Sequence, residues 1–113
     1  MDNSLREEVS RLHAQVCGGL ADPNRILILY TLGDRSHNVS DLAAALGLPQ
    51  PTVSRHLKTL RERGMVNSER DGQSVVYSLA DMRIVQALDL LRAFLADSLN
   101  NQAALARTAG EAL

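Results

Sequence analysis

The sequence predicts a mainly α domain with a small β-hairpin, an α+β fold with the element order α-α-α-α-β-β-α. Three observations carry this prediction. Apolar residues recur at three- and four-residue steps near both ends of the chain, as on one face of a helix. Two helical segments in the middle are joined by a tight, glycine-containing turn. A single Asp-Gly dipeptide then separates two strand-like runs.

Length and composition restrict the class of protein. The chain has 113 residues, 45% of them hydrophobic and 22% charged, which predicts one ordinary globular domain and excludes wholesale disorder. The charged N-terminus has no apolar signal core, and no apolar run reaches the ~18 residues of a membrane span. We therefore expect a cytoplasmic protein with no membrane partner. The single cysteine, Cys17, excludes an intrachain disulfide.

The first and last helices are each predicted from one apolar stripe, over about residues 4–18 and 81–98. A domain this small, expected over residues 1–98, does not need both stripes for its own core. We therefore expect two copies to pair through them. The predicted dimer-interface residues are Leu5, Val9, Leu12, Val16, Ile84, Leu88, Leu91 and Leu95. Residues 99–113 are rich in alanine and are expected to form a C-terminal tail or a frayed helix extension.

Helix-boundary residues mark the second and third helices. Asp22 is expected to cap the second helix, and Pro23 suits its first turn because no N–H is needed there. Residues 34–38 are predicted to form a polar loop. Ser40 is then expected to cap a short third helix, which Gly47 ends.

The fourth helix has one apolar and one polar, cationic face. At ~100° per residue, Val53, Leu57 and Leu60 fall within a narrow arc, opposite a set of basic and hydroxyl side chains. Residues 52–70 carry a net charge of +3, whereas the rest of the chain carries −4. Together with the short helix before it, this helix predicts a helix-turn-helix over residues 40–63, with the fourth helix as the reading helix.

The hairpin that follows completes a winged helix-turn-helix. Two strand-like runs over residues 65–79 flank Asp71-Gly72, which predicts a type I′ turn because both residue types tolerate positive φ. This register places Arg70 and Gln73 at the tip. A hairpin in that position is able to lie along a DNA backbone beside the reading helix.

These features predict a protein that binds double-stranded DNA. Stacking of single-stranded bases is not expected, because only three aromatic residues occur. Arg55 is the first candidate for reading guanine, with a phosphate contact as its alternative role. His56 either supports packing or touches phosphate. The predicted DNA-contacting residues are Gln50, Pro51, Thr52, Ser54, Arg55, His56, Lys58, Thr59, Arg61, Arg70 and Gln73.

Parts of the chain resemble the ArsR/SmtB family of bacterial winged-helix repressors. Leu20–Leu27 (LADPNRIL) is similar to the start of the family's central helix. Val39–Ala43 and Thr52–Gly64 resemble its helix-turn-helix, and Asp71–Leu79 resembles its wing. These stretches occur in the family's order and span about two-thirds of the chain. The resemblance implies a homodimeric repressor whose reading helices enter successive major grooves of a near-palindromic operator.

The metal sites of this family are not matched. The family has a Cys-x-Cys-type motif where this chain has His37–Ser40, so thiolate ligands are missing. At the last-helix site, Arg83 stands in place of a histidine ligand, and Phe94 and Asp97 stand at the later ligand positions. We therefore expect no metal cofactor at the usual sites, and the resemblance does not identify an effector.

Alternative functions remain open at this point. His13 and Cys17 are four residues apart on the first helix, and two copies would supply four ligands to a metal. Cys17 alone would serve as a redox or thiol-reactive switch, or it is a small buried hydrophobe beside a surface histidine. A protein-interaction module without DNA binding is a further alternative. We predict no enzyme, because no oxyanion-hole motif accompanies this single nucleophile–base pair.

Overall fold

The computed structural model describes residues 2–111. The chain divides into two compact units between Met82 and Arg83. The α-helices of the described residues are α1 (Asn3–Arg11), α2 (Pro23–Asp34), α3 (Val39–Leu46), α4 (Gln50–Glu62) and α5 (Arg83–Glu111), and the strands are β1 (His37–Asn38), β2 (Val66–Asp71) and β3 (Ser74–Leu79). The predicted order of five helices and a hairpin is confirmed, with one short strand added before α3.

The core of the first unit is built on α2, α3 and α4. Asp22 caps α2 as predicted, because its Oδ1 accepts a hydrogen bond of 2.8 Å from the backbone N–H of Asn24. The predicted apolar arc of α4 is fully buried. The side chains with no solvent exposure are Ile28, Leu29, Leu42, Val53, Leu57 and Leu60. The 3.6-residue period alone was therefore sufficient to identify the buried face of α4.

The segment after α2 is not wholly a loop, contrary to the expectation for residues 34–38. Residues 37 and 38 form β1, which pairs with β3 in an antiparallel sheet of order β1-β3-β2. The pairing joins His37 to Tyr77 and Asn38 to Val76. His37 is 5% exposed, and its Nδ1 lies 2.8 Å from the carbonyl oxygen of Arg35. The edge of β3 offers backbone partners that a local sequence pattern does not reveal.

The turn of the hairpin lies one residue later than predicted. Asp71 pairs with Ser74, so Gly72 and Gln73 are the two central residues. Gly72 has φ +65°, and no non-glycine residue in the described chain has a positive φ. A positive φ at the first central position is typical of a type II′ turn, so the predicted type I′ turn is wrong. Arg70 consequently lies within β2 opposite Val75, and only Gln73 occupies the tip.

The cap of α3 is Asn38 and not Ser40. The Asn38 Oδ1 accepts a hydrogen bond of 2.8 Å from the backbone N–H of Asp41, which places the helix start at Val39. The Ser40 hydroxyl instead accepts a hydrogen bond of 3.0 Å from Gln50 Nε2. Gly47 ends the helix with φ +66°, as predicted.

This assignment predicts unequal effects of two alanine substitutions. Asn38→Ala is expected to lower the free energy of unfolding by about 1 kcal/mol, because it removes the side chain that satisfies a helix-start N–H. Ser40→Ala is expected to cost a few tenths of a kcal/mol at most, because it removes only an exposed hydrogen bond. Urea denaturation measures both values. A larger decrease for Ser40→Ala would contradict the assignment.

The N-terminal helix contains a π-helical segment. After α1, residues Leu12–Cys17 form a π-helix, and the backbone N–H of Gly18 bonds to the carbonyl oxygen of His13. The helix therefore spans the predicted 4–18 region with one wider turn. Three stripe residues are open to solvent: Leu5 is 44% exposed, Val9 49% and Leu12 52%. Val16 is half-buried.

The last helix is longer than predicted. It begins at Arg83 and continues to Glu111, so the described part of the expected tail is a helix extension. The remaining residues, 112 and 113, lie outside the described range. Leu88 is 5% exposed in the single chain, and its place in the predicted dimer interface stays a prediction. Leu91 and Leu95 remain 59% and 57% exposed.

None of the helices in residues 2–111 has the length and apolar character needed to cross a membrane.

Candidate nucleic-acid interface

The fourth helix presents the predicted cationic face to solvent. Arg55, Lys58 and Arg61 are exposed, and Ser54 is exposed on the flank. Thr52 and Thr59 are half-buried between these cations. Because the opposite face is buried in the core, the long basic side chains of α4 point outward to solvent. This is the arrangement that a major-groove reading helix requires.

The Arg55 guanidinium makes only one weak contact among the described residues. Its Nη2 lies 3.5 Å from the Thr52 hydroxyl oxygen, at the long limit of a hydrogen bond. The Thr59 hydroxyl donates to the Arg55 carbonyl oxygen at 3.3 Å, which is a backbone contact and leaves the guanidinium unaffected. Most of the five Arg55 donors therefore face solvent, as paired recognition of guanine O6 and N7 demands.

The start of α4 supplies few backbone donors. Pro49 is the N-cap residue without a side-chain cap, and Pro51 lies in the first turn. Neither proline has an N–H, so fewer backbone donors are present to bind an anion at this helix end. Gln50 is tied to Ser40 by the hydrogen bond between Nε2 and the serine hydroxyl. A cavity of about 280 Å³ lies beside this pair and is lined by Asn38, Val39, Ser40, Gln50, Ser74, Val75 and Tyr77.

His56 lies on the packed side of α4. Its side chain is 16% exposed, its Nε2 is 3.9 Å from Asp22 Oδ1, and its Nδ1 is 3.5 Å from Arg25 Nη1. Of the two roles that the sequence left open, this position favours packing against the start of α2. We therefore omit His56 from the contact set proposed below.

The wing adjoins the end of α4. Arg61 Nη1 lies 3.5 Å from the Ser68 hydroxyl oxygen on β2, so one basic side chain of the helix also meets the hairpin. Arg70 on β2 and Gln73 in the turn are both exposed. The structure thus brings the predicted helix and wing residues onto elements that meet at Arg61.

Two arginines with structural contacts were not identified from the sequence. Arg25 donates from Nε and Nη2 to the carbonyl oxygens of Gly19 and Gly18, at 2.8 and 3.2 Å. Arg63, counted above within the basic stretch, donates to the N-terminal helix instead of facing outward with Arg55. The net charge of a stretch does not show which way each basic side chain points. The one sequence feature that set Arg63 apart was its position after the last turn of α4.

The candidate regulatory residues His13 and Cys17 are both exposed on the π-helical segment. Within residues 2–111, no group of three or more His, Cys, Asp or Glu side chains is arranged to hold a metal ion. The two residues therefore lack a third ligand within the described single chain.

The fold and its exposed basic helix define a winged helix-turn-helix protein. The pattern of a family described as bacterial regulatory protein, arsR family, matches residues 22–68. The chain belongs to this arsR family. Its relatives are transcriptional regulators and not enzymes.

Among the similar proteins are several regulators of Mycobacterium tuberculosis. The HTH-type transcriptional regulator NmtR is 43% identical over 83 residues, which cover 71% of this chain and 69% of the relative. The transcriptional repressor SmtB is 42% identical over 74 residues, and the match spans 55% of its length. The crystal structure of Rv0081 superposes with a TM-score of 0.72 at 30% identity, covering 91% of this chain and 99% of that one.

Proposed function

We propose that the protein is a homodimeric transcriptional repressor that binds a near-palindromic operator in double-stranded DNA. The observation that carries this proposal is the geometry of α4, whose apolar face is fully buried while Arg55, Lys58 and Arg61 stand on its solvent face. The repressor assignment is supported by the relative SmtB, which is described as a transcriptional repressor. A protein-interaction module would not need this concentration of exposed cations on one helix face.

The proposed roles follow from donor geometry and position. Arg55 reads a guanine, while Lys58 and Arg61 neutralise phosphates on either side of the groove. Arg70 and Gln73 reach the backbone or the minor groove from the wing. The complete proposed contact set is Gln50, Pro51, Thr52, Ser54, Arg55, Lys58, Thr59, Arg61, Arg70 and Gln73.

The proposed dimer uses apolar residues that the single chain leaves exposed. In the N-terminal helix these are Leu5 and Val9 of α1 and Leu12 at the start of the π-helical segment, and in α5 they include Leu91 and Leu95. Covering apolar surface favours association, and a second copy supplies matching stripes. A two-fold dimer places two reading helices about 34 Å apart, one helical turn of DNA.

No metal at the family's usual sites is part of this proposal. The chain offers Asn38 and Ser40 where thiolate ligands would be needed, and Asn38 is already used as the cap of α3. Regulation through Cys17, by oxidation or together with His13 by a metal shared between two copies, stays as the alternative. This alternative is supported by the exposure of both side chains, since an oxidant or a metal ion must reach them.

Selection from a random duplex library tests the proposed function. The wild-type protein is incubated with double-stranded DNA of random sequence, and bound molecules are amplified and sequenced over several rounds. We expect enrichment of one inverted repeat whose half-site centres are about 10 base pairs apart, because the two reading helices follow the dimer symmetry. The enriched sequence is called the selected duplex below. Failure to enrich any sequence would contradict the proposal.

A further inference from the structure

Three hydrogen bonds, donated in both directions, join the end of the reading helix to the N-terminal helix. Arg63, the residue that follows α4, donates from Nη1 to the carbonyl oxygens of Ala14 and Gln15, the latter at 3.1 Å. Gln15 donates in return from Nε2 to the carbonyl oxygen of Arg63, also at 3.1 Å. Both accepting carbonyls of the N-terminal helix belong to the π-helical segment Leu12–Cys17.

Two glycines beside this contact, Gly18 and Gly19, leave room for it because they have no side chain. A Cβ at Gly18 would lie 2.6 Å from Arg63 Nη1, so the absence of a side chain there is what admits the guanidinium. A Cβ at Gly19 would lie 2.5 Å from Met65 Sδ, directly after the same helix end. Arg25 connects the same two elements a second time. It donates hydrogen bonds to the carbonyl oxygens of both glycines, and its Nη1 lies 3.5 Å from Nδ1 of His56 on α4. The middle and the end of α4 are therefore both linked to the same helix terminus.

We propose that Arg63 is a positioning residue for DNA reading, which sets the orientation of α4 through Gln15 and contacts no phosphate. The inference rests on the proposed function. Burial of Val53, Leu57 and Leu60 determines which face of α4 points into the core, but apolar packing is non-directional and leaves small rotations about the helix axis weakly restrained. Hydrogen bonds to fixed carbonyls are directional and supply that missing restraint. Because base reading tolerates little displacement, the restraint acts on specific binding.

Two variants at the end of α4 separate positioning from phosphate contact. Arg63→Met keeps an apolar stem but removes the charge and every donor. Arg61→Met makes the same change at a residue that we place on the DNA face. We expect Arg63→Met to bind the selected duplex about tenfold more weakly, while its affinity for a scrambled duplex stays unchanged. Arg61→Met should weaken both, and should reduce the slope of log affinity against log salt by about one for each phosphate that is no longer neutralised.

A double-mutant cycle tests whether Gln15 and Arg63 act together. Gln15→Leu removes the partner without changing any charge, and Gln15 lies outside the proposed DNA contact set. We expect it to weaken binding to the selected duplex while leaving the salt slope unchanged. Combined with Arg63→Met, it should add much less than its own single effect, because both changes remove one reciprocal contact. Circular dichroism and sedimentation velocity confirm that each variant is folded and dimeric, and the inference is tested by Gln15→Leu alone if Arg63→Met does not fold.

The outcomes distinguish this inference from the proposed function. If wild-type protein does not prefer the selected duplex to the scrambled one, the proposed function itself fails, and the inference fails with it. If wild-type protein has that preference and Arg63→Met retains it in full, only the inference is overturned. A reduced salt slope in Arg63→Met, equal to that in Arg61→Met, would likewise overturn it by identifying Arg63 as a phosphate-binding residue.

Discussion

Arg55→Ala is expected to lower affinity for the selected duplex by at least about thirtyfold. A bidentate arginine–guanine contact contributes roughly 1–3 kcal/mol of discrimination, and the substitution removes it from both half-sites of a two-fold dimer. The free energy of unfolding should change by no more than about 0.5 kcal/mol, because the side chain is exposed and, among residues 2–111, its guanidinium meets only Thr52. Fluorescence anisotropy with the labelled duplex measures the affinity, and urea denaturation measures the stability.

Two further variants make this result interpretable. Arg55→Lys keeps the charge but removes the paired donors, so a base contact predicts a decrease in affinity close to that of Arg55→Ala, whereas a phosphate contact predicts near-normal binding. Glu62→Ala, a matched truncation in the last turn of α4, should bind the duplex as well as wild type or slightly better, because it removes an exposed negative charge. Unchanged affinity in Arg55→Ala would remove Arg55 from the proposed interface.

Leu91→Glu is expected to convert the proposed dimer into a monomer. Leu91 is 59% exposed in the single chain, so the substitution leaves the fold of one copy intact. In the dimer it would place a carboxylate in an apolar interface, and burial of an unpaired charge costs several kcal/mol. Sedimentation velocity should give the mass of one chain at concentrations where wild type has the mass of two. Specific affinity should fall to that of a single half-site.

A neighbouring leucine provides the control. Leu90 is 73% exposed and lies ~100° around α5 from Leu91, away from the predicted stripe. Leu90→Glu adds the same charge to the same helix and should remain a dimer that binds the selected duplex normally. Dissociation of both variants, or of neither, would mean that the stripe through Leu91 is not the interface.

Periodic patterns in the sequence predicted the parts of the fold that depend on burial. The arc of Val53, Leu57 and Leu60 is fully buried because a helix with one apolar face places that face in the core. The cap at Asp22 was also predictable, since a cap acts within two residues of its position. Features with competing local solutions were less predictable: Asn38 and Ser40 are both good cap residues, and only the structure selects Asn38.

Features that depend on distant partners were not predictable. The strand β1 exists because β3 presents an open edge to it, and two residues carry no strand pattern of their own. The hairpin turn shifted by one residue because Gly72 alone satisfies a type II′ turn, so Asp71 need not take a positive φ. Arg63 was counted with the basic stretch, although its guanidinium bonds carbonyls 48 and 49 positions away in the sequence.

Sequence-specific recognition of double-stranded DNA by two copies of α4 is most directly tested by competition between two duplexes. Wild-type protein is titrated into labelled selected duplex and into a scrambled duplex of equal length and composition, at several salt concentrations. We predict a stoichiometry of two chains per selected duplex, a preference of at least about 10³ over the scrambled one, and steep weakening of both with salt. Equal affinity for the two duplexes, or one chain per duplex, would contradict the account.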